Sequence, residues 1–163
     1  MRKRKLMKKV LIAGFVVVTL GGIYYLYANN RENNQYVKPI GKLIYGDNEI
    51  FRNAVISYCQ QDARLLCDVK VLGHDDRYLY VLLYRTWYEN IHTANAKPGT
   101  RAADECRAAY ADNPLRISDF QCMGDGNMNP SIQSLYPKKM YDSARKIWFS
   151  WISETAMDAK AKE

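Results

Sequence analysis

Histidine is scarce in this chain, and the short motifs that announce catalysis are missing. The 163 residues include two histidines. The four cysteines form no C-x-x-C, which removes the usual signature of a thioredoxin-like redox site or a zinc ribbon. No serine lies in a G-x-S-x-G context, and no glycine-rich loop is built to cradle a phosphate. Internal repeats are absent as well. Nucleophilic, nucleotide-dependent and metal-dependent chemistry therefore have no specific signal, and no catalytic residue, metal or cofactor is expected.

Charge is also missing from one stretch, and that absence is the most informative. Val10 to Ala28 reads VLIAGFVVVTLGGIYYLYA, and the nine residues before it carry Arg2, Lys3, Arg4, Lys5, Lys8 and Lys9. Nineteen helical residues at roughly 1.5 Å each span about 28 Å, close to the roughly 30 Å hydrocarbon core of a bilayer. The run is thus a transmembrane anchor or a secretory signal, and in both cases the basic end stays in the cytoplasm while the rest is exported. Its length favours an uncleaved anchor, since signal cores are usually about 7 to 15 residues. Tyr24, Tyr25 and Tyr27 at the outer end suit the headgroup level and point the same way. Leu26-Tyr27-Ala28 and Thr19-Leu20-Gly21 are the competing cleavage sequences. No cysteine near the end of the run supports a lipid-modified N-terminus.

The basic balance follows from that topology. The chain is at +7, but residues 28–163 hold 18 basic and 17 acidic side chains, a net charge of +1. No nucleic-acid partner is implied. Export also changes the reading of Cys59, Cys67, Cys106 and Cys122, because thiols outside the cytoplasm oxidise in pairs. Pairing Cys59 with Cys67 and Cys106 with Cys122 closes the shorter loops.

The expected organisation is a basic cytoplasmic end (1–9), the anchor or signal (10–28), a linker (29–45) and an exported α+β domain (46–158). The polar run Asn29–Gln35 and Lys38-Pro39 mark the linker. Asp47 is placed as the cap of a helix over 47–61, with Ile50, Phe51, Ala54, Val55 and Tyr58 on one face. A hairpin follows over 65–88. With a three-residue loop, His74–Asp76, and a bulge, Cys67, Val69 and Val71 share a face with Leu79, Val81, Leu83 and Trp87. Asn90–Gly99 reads as a loop, and Thr100 as the cap of an alanine-rich helix over 101–111. A candidate third strand covers 115–123, and a last helix runs from Pro137 to about Met157. That helix is expected to cover the aliphatic face with Trp148 and Trp151. The fold class is α+β, a small antiparallel sheet with helices on one side.

Two local clusters read as turns. His74-Asp75-Asp76 places an imidazole beside two carboxylates, but adjacent turn residues point apart and no further ligand is identifiable. His92 has no evident partner. Asp125-Gly126-Asn127-Met128-Asn129 resembles the opening of a calcium loop, yet Pro130 follows and position twelve is Tyr136 instead of Glu. The strongest candidate for binding is the face opposite the aliphatic one, with Tyr78, Tyr80, Tyr84 and Tyr88 at even spacing and Lys70 on its rim. The competing reading is that tyrosine simply suits strands, or that the helix at 101–111 covers this face. The function expected from these features is a non-enzymatic, single-pass inner-membrane protein whose exported domain binds a protein partner in an envelope assembly. A small exported enzyme and a secreted inhibitor or ligand carrier are the alternatives.

Overall fold

The computed structural model describes residues 2–60, 62–122, 135–147, 150 and 152–163. The chain divides into two compact units, Met1–Gln35 and Tyr36–Glu163. The first is one helix, α1, Arg2–Asn33. It carries the apolar run without interruption and continues through Asn29–Asn33, which the sequence assigns to a linker. Its apolar side chains from Val16 to Tyr27 are exposed. Among the described residues, no helix is long and apolar enough to cross a membrane.

The second unit is α+β and begins ten residues earlier than expected. Residues 36–45 belong to it, since Val37 and Leu43 pack into its core. It also runs on to Ala161, which is fully buried. After the two-residue strand β1, Ile44–Tyr45, comes helix α2, Glu49–Cys59. Asn48, and not Asp47, caps it: the Asn48 side chain accepts from the N–H groups of Ile50 and Phe51 at 2.9 and 3.3 Å. The Asp47 carboxylate is engaged instead by Arg52, Lys70 and the Val71 N–H.

Strands β2 (Leu65–His74) and β3 (Tyr78–Glu89) form the expected hairpin, with the turn at 75–77 instead of His74–Asp76, because His74 still pairs with Leu79. Val69 lies opposite Leu83 and Val71 opposite Val81, with a register shift between Val71 and Gly73. Cys67, Val69, Val71, Leu79, Val81 and Leu83 therefore share one face, as the alternation predicts. Gly73 (φ 154°) is required at the bulge, because a Cβ there would run into the Ile44 carbonyl and the Met140 side chain.

The alanine-rich segment is a strand, not a helix. Strand β4, Lys97–Asp112, pairs antiparallel with β3, and β5, Leu115–Cys122, pairs with β4. Helix propensity favours Ala, but pairing on β3 and the Cys106–Cys122 disulfide, with the two residues directly opposite in register, override it. A cis Asn113–Pro114 bond lies in the β4–β5 turn. The five strands form one antiparallel meander, β1-β2-β3-β4-β5.

Helices lie on both faces of the sheet, contrary to the one-sided expectation. Helix α2 covers the aliphatic face through Phe51, Val55 and Ile56. The tyrosine face is covered by α3, Lys138–Ile147, through Met140 and Ala144, and by α4, Glu154–Lys160, through Met157. The expected single last helix is thus two, and Ser153 caps the second. Trp148 and Trp151 lie outside the described residues.

Candidate functional site

The tyrosines proposed as an open binding face are largely core. Tyr80, Tyr84 and Tyr88 are 0, 4 and 3% exposed, and Tyr78 is half-buried. The sequence reading failed on one point: it left this face without an apolar cover, whereas Tyr136, Met140 and Ala144 sit on Tyr80, and Met157 and Ala161 on Tyr84 and Tyr88. Each hydroxyl finds an acceptor, as burial demands. Tyr80 donates to Asp75 Oδ2 at 2.6 Å, Tyr84 to Glu154 at 2.9 Å and Tyr88 to Asp158 at 2.8 Å. Burial first, and the adjacent carboxylate second, push all three hydroxyls above their ordinary pKa. Arg101 pairs with both Glu154 and Asp158, so β3 and β4 hold α4 by its charged side. Two guanidinium groups approach the Tyr78 ring, Arg77 at 5.4 Å and Arg107 at 4.4 Å from its centre. Lys70, opposite Leu82 in the ladder, is engaged by Asp47, with its Nζ 3.0 Å from the carboxylate.

The hairpin tip is a structural turn. Asp75, 1% exposed, accepts from the N–H groups of Ile40, Arg77 and Tyr78 at 2.9, 2.9 and 2.8 Å. Burial opposes its charge, but the bonds from Tyr80 and these three N–H groups outweigh it and hold the carboxyl below its usual range. His74 Nδ1 lies 3.2 Å from the Tyr110 hydroxyl, which donates to the Asp75 carbonyl at 2.7 Å. The His92 N–H donates to the Ala161 carbonyl at 2.7 Å and ties the loop to the chain's end. Among the described residues, no three His, Cys, Asp or Glu side chains converge on a metal-sized site. The calcium-like segment at Asp125 lies outside the described residues.

Three features escaped the sequence reading. Tyr136 is fully buried, and its hydroxyl is inserted between β3 and β4, donating to the Val81 carbonyl and accepting from the Cys106 N–H at 3.0 Å. Glu105 is 5% exposed on the same side; burial pushes its carboxyl up to about 7 against the pull of Arg145. Neither carries a motif, since long-range packing alone defines them. The third feature is an apolar strip at the start of the second unit. Ile40, Ile44, Tyr45 and Ile50 are 45, 48, 49 and 70% exposed, the large hydrophobic side chains this unit presents to solvent among its described residues. Ile44 and Tyr45 form the edge strand β1, Ile40 lies in the segment before it between Lys38 and Lys42, and Ile50 is in the first turn of α2. The signal for this strip was present in K-P-I-G-K-L-I-Y, but it falls in the stretch taken for a linker.

The four cysteines are placed in two neighbouring pairs on the α2 side of the sheet. Cys106 and Cys122 are bonded. Cys59 and Cys67 are free thiols in one apolar cluster. No family model, no curated protein and no solved structure matches this chain.

Proposed function

We propose that this is a single-pass envelope protein, anchored in the inner membrane by Val10–Ala28, whose exported α+β domain docks a protein partner and performs no chemistry of its own. The observation that carries the reading is the exposed apolar surface of α1. Val16, Val17, Val18, Leu20, Ile23 and Leu26 are 45 to 74% exposed. At about 1.5 to 3 kcal/mol for each large aliphatic side chain buried, leaving them in water forfeits on the order of 10 kcal/mol, which a bilayer supplies. The Cys106–Cys122 bond supports an oxidising compartment for the domain.

Docking falls to the strip at the β1 edge, not to the tyrosines. An edge strand offers unpaired backbone groups, and an extended partner segment can add to it while its side chains meet Ile44 and Tyr45. Lys38 and Lys42, on either side of Ile40 in the segment that precedes β1, favour a partner segment with acidic residues. Alkaline extraction of membranes, followed by protease treatment of cells whose outer face is accessible, tests the reading. The full chain is expected to stay in the membrane pellet and to lose its domain to external protease. A soluble protein beginning near Gly22 or Asn29 contradicts the anchor, and a protease-resistant domain contradicts export.

A further inference from the structure

Cys59 is the last residue of α2, and Cys67 lies in β2 on the face that α2 covers. The two side chains pack in the same apolar cluster, with the thiols close enough to influence each other's ionisation. Cys67 is 6% exposed, whereas Cys59 is half-buried and reachable from solvent. Directly across the hairpin from Cys67 is Arg85, ion-paired with the buried Asp104. This arrangement distinguishes the two sulfurs. The Cys67 contact, helped by Arg85, favours the thiolate at Cys59 and lowers its pKa against the effect of burial. The same contact, together with burial, holds Cys67 protonated. An accessible thiol, the more readily ionised of the two, beside a buried one is the usual division between an attacking and a resolving sulfur.

We propose that Cys59 and Cys67 close a second disulfide that staples the C-terminal end of α2 to β2, formed by exchange with a disulfide-bearing oxidant. The Cys59 thiolate attacks one sulfur of the oxidant, breaking its S–S bond and releasing one thiolate. Cys67 then gives its proton to that released thiolate, and its sulfur attacks Cys59 in the mixed disulfide, releasing the second. Two protein thiols lose two electrons and the oxidant becomes two thiols. In the cell this rests on the export reading above, since a reducing compartment would keep both thiols free.

The test uses the full chain. Acid-quenched cells are denatured and alkylated, and the cysteine peptides are mapped without reduction. A second arm equilibrates the purified, detergent-solubilised full chain with glutathione disulfide. The expected result is no alkylated cysteine in cells, a peptide joining Cys59 to Cys67, and the same bond formed with glutathione disulfide. With Cys67→Ser a stable glutathione adduct should collect on Cys59, and with Cys59→Ser Cys67 should remain unmodified. Alkylation of Cys59 and Cys67 in cells while Cys106–Cys122 stays intact, with no bond formed by glutathione disulfide, overturns the pairing but leaves export standing. Alkylation of all four in cells contradicts export, and the glutathione arm then decides the pairing alone. A glutathione adduct on Cys67 in the Cys59→Ser variant overturns the assignment of the attacking sulfur.

Discussion

The aliphatic face of the sheet buries Leu65, Cys67, Val69, Val71, Leu79, Val81 and Leu83 under α2, whereas the opposite face buries Tyr80, Tyr84, Tyr88 and Tyr136 under α3 and α4. The first needs only shape and apolar area. The second must also provide a partner for each hydroxyl, and it does so with Asp75, Glu154, Asp158 and the backbones of Val81 and Cys106. An unmet buried hydroxyl costs roughly 1 to 3 kcal/mol, so each one needs a partner in place, two of them supplied by α4 and the others by the hairpin tip and the strands themselves. The difference teaches that a row of tyrosines on a strand does not by itself mark an interface. It marks one only where the rest of the chain holds no acceptors at matching positions.

Breaking the second face at its centre should have the largest effect. Tyr136→Ala removes a fully buried ring stacked edge-on against Tyr80 at 5.7 Å, and is expected to destabilise the full chain by about 3 to 5 kcal/mol. Tyr136→Phe keeps the ring but strands the Cys106 N–H, with an expected loss of about 1 to 3 kcal/mol. Chemical denaturation of both variants separates packing from hydrogen bonding: a Tyr136→Phe variant as stable as the parent would deny the hydroxyl any role, and losses equal in the two variants would deny one to the ring.

Glu105 sharpens the contrast from the other direction. The fold raises its carboxyl from 4.5 to about 7, so the folded chain binds this proton more tightly than the unfolded one. The stabilisation from the protonated form is full below pH 4.5 and is lost as the pH rises to 7. Glu105→Gln, neutral throughout, should match the parent near pH 4 and exceed it by about 1 to 3 kcal/mol near pH 8. Denaturation midpoints across that range check this, and a variant with the parent's pH slope removes Glu105 as its source.

A smaller effect is expected at the edge of the face. Tyr84→Phe and Tyr88→Phe each delete one hydroxyl–carboxylate bond to α4, worth about 1 kcal/mol because the carboxylates are partly exposed. Hydrogen exchange should quicken over 154–161 and stay unchanged over β2 and β3. Quickening across the whole sheet would show that α4 is not held by these bonds.

How much of this was legible in the sequence depends on whether a residue's neighbours in space are also its neighbours in the chain. The β2–β3 hairpin was legible with its faces, because alternation from Cys67 to Trp87 is local and a single slip would bury Asp68 and Lys70. Strand β4 was not, since Arg101–Ala111 has the composition of a helix and becomes a strand only by pairing with β3 and β5. One signal did exist: Ala102, Asp104, Cys106, Ala108 and Tyr110 recur at even spacing, and Cys106 faces Cys122 across the ladder. The Cys106–Cys122 pairing expected from loop length also sets these two segments side by side, as the ladder does. The cover of the tyrosine face was illegible because Tyr136 and Met157 reach it from distant positions in the chain. The β1 strip was hidden by a boundary drawn at Gly46, ten residues after the compact unit begins.

Tyr45 and Tyr84 offer the sharpest contrast in exposure, 49% against 4%, and one experiment compares them directly. A photo-crosslinking amino acid is placed at position 45 or at position 84 of the full anchored chain in its native membrane, and adducts are resolved by mass. Substitution at the exposed position should change stability by less than about 0.5 kcal/mol, so folding does not confound the reading there. The account predicts an intermolecular adduct from position 45 and only intrachain products, to α4, from position 84. An intermolecular adduct from position 84 with none from position 45 would contradict it, returning the interface to the tyrosine face.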